Sequence, residues 1–259
     1  ALGRACRFRG DDTMAAFVSF EDLTLGYDRH PAVHHLSCSI ARGALTAIVG
    51  PNGAGKSTRL KGIVGTLRPI GGAIRLDGLD VRDIAHLPQS AEIDRAFPLS
   101  VFDFVAMGAW RRVGAFGAIG RGERHRVAEA IAAVGLEGFE RRMVGTLSGG
   151  QMQRALFARL VLQDAAVILL DEPFNAVDAA TQADLLALVH RWHGEGRTVV
   201  AVSHDLDLVR AHFPETLMIA RECVGLGPTV RILTDDNLAR AQRMIEAFDV
   251  HAHVCDRAA

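Results

Sequence analysis

The sequence predicts an α/β fold built around a mostly parallel sheet, and three observations predict it. Compact apolar runs of strand length recur at Ala44–Val49, Val167–Leu170, Thr198–Val202 and Thr216–Ala220. Segments with helical spacing alternate with them, as in Leu60, Ile63, Val64 and Leu67, and in Leu185, Leu188, Val189 and Trp192. The first of these runs also leads through a glycine-rich turn directly into a helical pattern. Apolar strands interleaved with amphipathic helices imply parallel strands covered on both faces.

Taken in chain order, residues 1–15 lack a pattern and are expected to form an N-terminal extension without a structural role, with Met14 a candidate start. Residues 16–50 read as short strands, apolar-rich at Phe17, Phe20, Leu23 and Leu25. The helix after Gly50 is expected to run through Leu67 and to end at Pro69 and the pair Gly71-Gly72, before a strand at Ala73–Leu76. From residue 98 the character changes. Val127, Ile131 and Val134 mark a helical face, glycine turns interrupt Gly114–Gly122, and Met152, Leu156 and Leu160 align on a further helix. We read about 98–160 as a mostly helical subdomain inserted in a domain covering 16–240, with a tail at 241–259.

Composition bounds the function. With 49% hydrophobic and 23% charged residues, the 259-residue chain is an ordinary globular protein. Its 29 basic and 30 acidic residues nearly cancel, which argues against a nucleic-acid surface. No apolar run reaches the roughly 18–20 residues that span a bilayer. Asp11 and Asp12 stand where a signal peptide would place its apolar stretch, so a cytoplasmic location is expected. The four cysteines form no C-x-x-C pair, as suits reduced thiols.

Gly50-Pro51-Asn52-Gly53-Ala54-Gly55-Lys56-Ser57-Thr58 fits a phosphate-binding loop. Glycines let successive N–H groups turn toward phosphate oxygens, and the following helix N-terminus adds a favourable dipole. Lys56 would reach the β/γ-phosphates and Ser57 would offer a hydroxyl to Mg²⁺. The chain uses lysine only here and at Lys61 among its 29 basic residues, which suits a need for a compact ammonium at this position. The apolar run Val167–Leu170 closes on Asp171 and Glu172. Strand carboxyl ends gather ligands in open parallel sheets, so Asp171 is expected near Mg²⁺, with Glu172 orienting and deprotonating a water. Leu147-Ser148-Gly149-Gly150-Gln151 opens another helix and makes a second Ser/Gly-rich anion site. One nucleotide explains one such element and leaves the second unexplained.

At this point the chain resembles the ABC ATPase family, whose signature motif Leu147–Gln151 matches letter for letter. The resemblance covers about residues 16–225. It implies a P-loop NTPase of ABC type: a RecA-like, mostly parallel sheet core, N-terminal antiparallel strands and the inserted helical subdomain. It also implies a head-to-tail dimer, simplest as a homodimer, in which Ser148, Gly149, Gly150 and Gln151 complete the partner's ATP site. Asp178 resembles the aspartate that links the two sites. Tyr27 resembles the aromatic that stacks on adenine, Gln89 the glutamine that touches Mg²⁺ and senses the membrane partner, and His204 the switch histidine at the γ-phosphate. The chain departs from the family at Arg59, usually apolar, at Met152, often basic, and near Asn175, where small residues are usual. None of the three touches phosphate in the family, and an active ATPase using ATP and Mg²⁺ is expected.

Residues Ala96–Gly108, Asn175 and the segment around Leu233–Leu238 resemble zinc and manganese uptake ATPases. This implies a peripheral subunit at the cytoplasmic face of the cell membrane. It would energise integral permease subunits and, through them, a substrate-binding protein. The alternatives are an importer of iron chelates or another solute, an efflux ATPase, and an ABC ATPase acting on nucleic acid. The neutral charge balance argues against the last of these. In the tail, His251, His253 and Cys255 alternate with the spacing of one face of an extended segment, and their imidazoles and thiol are candidate Zn²⁺ ligands.

Overall fold

The N-terminal apolar stretch forms one long hairpin in place of several short strands. Strand β1 (Ala16–Tyr27) pairs antiparallel with β2 (His30–Ala41) in the computed structural model, which describes residues 16–27, 30–89, 95–114 and 117–246. The difference has a local cause. The β1 register shifts between Phe20 and Leu23, where Asp22 adopts φ +47°, so the inward face changes phase within a single strand. Phe17, Leu23, Leu25, Leu36 and Ile40 are almost wholly buried beneath this hairpin.

Two compact units make up the chain, one drawn from residues up to 81 and from 200 onward, the other from residues 82–199. In the first, β4 (Gly71–Leu76) joins the other edge of β1, giving the antiparallel order β2-β1-β4. The Gly71-Gly72 pair therefore begins a strand and does not end the helix. Gly72 sits at φ +72°, where an added methyl would lie 2.3 Å from the Glu21 and Asp22 carbonyl oxygens, so only glycine lets β4 approach the β1 bulge. Helix α1 (Lys56–Ile63) stops before Leu67 because Gly65 turns left-handed at φ +75°. The Thr66 N–H donates to Lys61 O and the Gly65 N–H to Gly62 O, which closes the helix in a Schellman motif.

Strand β3 (Leu45–Val49) is buried at all five positions. It pairs in parallel with β8 (Glu215–Ala220), which pairs antiparallel with β9 (Glu222–Pro228). Strand β7 (Thr198–Val202) carries the chain from the second unit back into the first, where α7 (Leu206–His212), α8 (Thr229–Ile232) and α9 (Asp235–Glu246) follow.

In the second unit, β5 (Ile84–Leu87) lies parallel to β6 (Val167–Asp171). Helices α2 (Val101–Ala106), α3 (Trp110–Val113) and α4 (Arg121–Ala132) precede the two long helices α5 (Gly149–Gln163) and α6 (Ala179–Gly194). Phe157 of α5 stacks on Trp192 of α6 with ring centroids 5.7 Å apart, a pairing worth about 0.5–1.5 kcal/mol beyond the area it buries. Asp178 caps α6 by accepting from the Thr181 N–H at 2.9 Å and from its hydroxyl at 2.8 Å. Those bonds, the backbone one foremost, hold the Asp178 carboxyl below its ordinary range.

Two stability changes follow. Gly72→Ala should destabilise the first unit by about 2 kcal/mol or more, from left-handed strain plus overlap with the bulge, as read by thermal or denaturant unfolding. Because the folded Asp178 pKa is depressed, the charged cap contributes fully above the ordinary aspartate value of about 3.9 and is lost as pH falls through the folded value. The melting-temperature advantage of the wild type over Asp178→Asn should therefore be present at neutral pH and close in acid. A gap that stays constant across that range would show that the charge contributes nothing.

Candidate functional site

In the first unit the chain leaves β3 and must start α1 after only six intervening residues. Gly50 makes the departure possible, because a methyl there would lie 2.0 Å from the Ile219 carbonyl oxygen of β8. Gly53 and Gly55 follow in left-handed conformations at φ +79° and +77°, and the Ala54 N–H closes a turn onto Pro51 O at 3.2 Å. Gly55 occupies the N-cap of α1 and supplies no capping side chain, and the first turn of the helix carries no acidic residue. The helix therefore presents its N-terminal N–H groups and the positive end of its dipole to an incoming anion.

Lys56 is buried, and its ammonium donates to Gly50 O at 2.7 Å and Pro51 O at 3.0 Å. These bonds arch the side chain back along the loop, so positive charge and the loop amides share one concavity. Asn52 is exposed beside it, Ser57 is half-buried and Thr58 is buried. After β7 the Ser203 N–H donates to Ile48 O of β3 at 3.1 Å, which sets His204 just past the strand end. His204, Gly50 and Pro51 line one cavity of about 300 Å³ with Leu206, Met218 and Leu238.

In the second unit the parallel register Leu87↔Leu170 carries on past the strands, so residues 89 and 172 fall opposite one another. The Gln89 amide accordingly donates to Glu172 Oε2 at 2.9 Å, and the Asn175 amide donates to the same oxygen at 3.3 Å. Glu172 holds a left-handed backbone at φ +50°, a conformation disfavoured outside glycine, which turns its carboxylate off the strand direction. Asp171, the last residue of β6, is only 2% exposed. The Gln153 amide of α5 fixes the following turn by donating to Pro173 O at 2.7 Å.

Ser148 and Gln151 form a capping box at the start of α5. The Gln151 N–H donates to Ser148 Oγ at 3.3 Å, and the Ser148 N–H donates to Gln151 Oε1 at 3.1 Å. A methyl on Gly150 would come within 3.5 Å of Asp178 Oδ2, and one on Gly149 within 3.6 Å of Ala176 O, so the N-termini of α5 and α6 are neighbours. Arg154 ties them together by donating to Thr181 Oγ1 at 3.2 Å and Asp184 Oδ2 at 2.7 Å.

The structure thus groups Gly50–Thr58 with His204 in one unit, and Gln89 with Glu172, and Ser148–Gln151 with Asp178, in the other. The Tyr27 side chain and His251, His253 and Cys255 lie outside the described residues. Sequence reasoning passed over Gln153 and saw Asn175 as a family departure and as a likeness to metal uptake ATPases, without assigning it a role at Glu172. An amide two or three residues from a strand-end carboxylate is the signal that points to it.

The family model described as ABC transporter matches residues 33–175, a span that holds the loop, Gln89, Ser148–Gln151, Asp171 and Glu172. The zinc transport system ATP-binding protein TroB of Treponema pallidum is 39% identical over 228 residues, 86% of each chain. The manganese transport system ATP-binding protein MntB of Listeria innocua is 36% identical over 225 residues, 85% of this chain and 94% of that one. Among solved structures, a metal-chelate type ABC transporter in an inward-facing conformation superposes with a TM-score of 0.77 at 31% identity, covering 88% of this chain and 90% of that chain. A dimeric, post-hydrolysis ATP-binding cassette bound to ADP and Pi gives 0.72 at 26% identity, covering 82% and 98%. With the loop geometry, these likenesses show that the chain belongs to the ABC transporter family, among its ATPase subunits.

Proposed function

We propose that this chain binds ATP with Mg²⁺ and hydrolyses it to energise a membrane importer of manganese or zinc. The observation that carries the nucleotide reading is the phosphate loop, where left-handed glycines, an uncapped helix N-terminus and the folded-back Lys56 ammonium converge. The choice of metal rests on the manganese and zinc transport relatives.

The donors available to Mg²⁺ are the Ser57 hydroxyl, the Gln89 amide oxygen and the buried Asp171 carboxylate, all hard oxygens that suit it. When bound, Mg²⁺ neutralises phosphate charge. The loop amides and Lys56 hold the β- and γ-phosphates, and Tyr27 stacks on adenine. Glu172, its carboxylate oriented by Gln89 and Asn175, takes the proton of the attacking water, while His204 contacts the γ-phosphate. Gln89 also explains a coupling to the membrane partner, since moving its backbone would release one of two donors from the catalytic carboxylate.

In a head-to-tail homodimer, Ser148, Gly149, Gly150 and Gln151 at the start of α5 complete the partner's nucleotide site, and Asp178 on the adjoining helix relays its occupancy. The solved dimeric cassette bound to ADP and Pi supports this reading. No described helix is long and apolar enough to cross a membrane. We read the chain as a peripheral subunit at the cytoplasmic face against permease subunits, which would link it to a substrate-binding protein; its likeness to ATP-binding subunits of metal transport systems supports this. Exposed Phe97, Met107 and Trp110, the last two lining a groove with Ile84 and Arg111, suit permease contact.

The test is uptake of labelled manganese and zinc by cells lacking this chain. Wild type should restore uptake of one metal, and Glu172→Gln should not, with ATP turnover reduced about a hundredfold or more. If uptake of neither metal depends on the chain, the metal assignment falls. Full turnover by Glu172→Gln would remove Glu172 from the chemistry.

A further inference from the structure

Among the described residues, Arg59 is the largest side chain that is completely buried, at 0% exposure. It stands on α1 beside buried Leu60, where an apolar residue would fill the space without the desolvation that a cation suffers. Its guanidinium has no carboxylate among the described groups acting on it. The thiols of Cys38 and Cys223 are the groups that favour its charge, and burial pushes its pKa down to about 10, still charged at neutral pH. Its hydrogen bonds go to carbonyls: Nη1 donates to Ala54 O at 3.2 Å and, longer, to Gly55 O at 3.5 Å, and Nη2 donates to Arg221 O at 3.3 Å. Replacing such a buried charge by an apolar side chain of similar volume is commonly neutral or stabilising. Fold stability therefore does not account for Arg59.

The carbonyls it holds do account for it. In a planar trans peptide the C=O and the following N–H point in opposite directions. Ala54 O shares its peptide with Gly55 N–H, and Gly55 O shares its peptide with Lys56 N–H. Drawing Ala54 O backward aims the Gly55 amide forward, out of the loop, while Gly55 O, which also accepts the helical Arg59 N–H at 3.2 Å, is held with the help of α1 itself. The glycines at 53 and 55 have no side chains to hold the backbone in this conformation, so it needs an outside anchor. The anchor is itself fixed, because Arg221 O, in the tight turn between β8 and β9, also accepts the His34 N–H at 3.0 Å.

We propose that Arg59 is a positioning residue for nucleotide binding, orienting the amides of the phosphate loop from behind and adding positive charge beneath the anion they hold. The inference rests on the ATP-binding reading. Amides that contact phosphate alike in the ground and transition states change affinity more than turnover.

The experiment is titration of the purified chain with Mg²⁺ and trinitrophenyl-ATP, alongside thermal unfolding without nucleotide, for wild type, Arg59→Met and Arg59→Lys. Arg59→Met should melt at or above the wild-type temperature and bind the probe about tenfold or more weakly, the loss expected from removing charge-assisted bonds. Arg59→Lys, which keeps the charge but not the two-pronged fork, should fall between the two. Wild-type affinity in Arg59→Met would overturn the proposal. So would affinity losses that follow a lowered melting temperature in both variants, since they would assign Arg59 to folding. If wild type binds no probe, the ATP-binding reading itself fails and takes this inference with it.

Discussion

Where β3 gives way to α1, the first amides of the helix have no intrahelical carbonyl to bond, and the last carbonyls around the strand end have no partner strand ahead. The protein sorts these groups by sign. Cationic side chains take up the carbonyls: Lys56 those of Gly50 and Pro51, and Arg59 those of Ala54 and Gly55. The amides are left facing the other way, with no acidic residue in the first helical turn to compete for them. The result is a concavity of N–H groups and positive charge that suits an anion. Gly50 is indispensable to it because β8 passes so close that no side chain fits. The rest of the first unit supports this arrangement, from the wholly buried β3 to the turn at Arg221.

The second unit treats its strand and helix ends differently. Asp171 and Glu172 put negative charge at the end of β6, and two amides restrain the Glu172 carboxylate without neutralising it. The starts of α5 and α6 are capped by Ser148 and Asp178 from within the chain, so these helices are stable before any partner arrives. Capping and recognition are compatible there, because a serine oxygen that accepts one N–H keeps its hydroxyl hydrogen for another acceptor. One family of devices, the helix N-terminus, thus appears uncapped at α1, where the ligand supplies the missing charge, and capped at α5 and α6.

Much of this was legible in the sequence, for identifiable reasons. Short-range patterns that the backbone itself enforces could be read directly: the glycine spacing of the loop, the acid-ended apolar strand and the Ser-Gly-Gly-Gln helix start. The likeness to zinc and manganese uptake ATPases is matched by the relatives found. Features that depend on distant chain were not legible. The β1 bulge disguised one long strand as two, and Gly72 read as a helix terminator because its neighbour in space, Asp22, lies fifty residues away in sequence. Helix α1 kept an apolar pattern past Gly65 although the backbone had already turned left-handed. Arg59 stood out only as a charge in an apolar place, and its meaning needed the carbonyls around it.

The central claim is that the amides of Gly53, Gly55, Lys56 and Ser57 and the Lys56 ammonium are the groups that hold phosphate. The most direct measurement is the amide spectrum of the ¹⁵N-labelled chain as ATP and Mg²⁺ are added. The account predicts that the Gly53, Gly55, Lys56 and Ser57 amides move downfield, as hydrogen-bonded N–H groups do, and that these shifts vanish in Lys56→Met. ATP-dependent shifts that leave these four amides in place and gather elsewhere would contradict it.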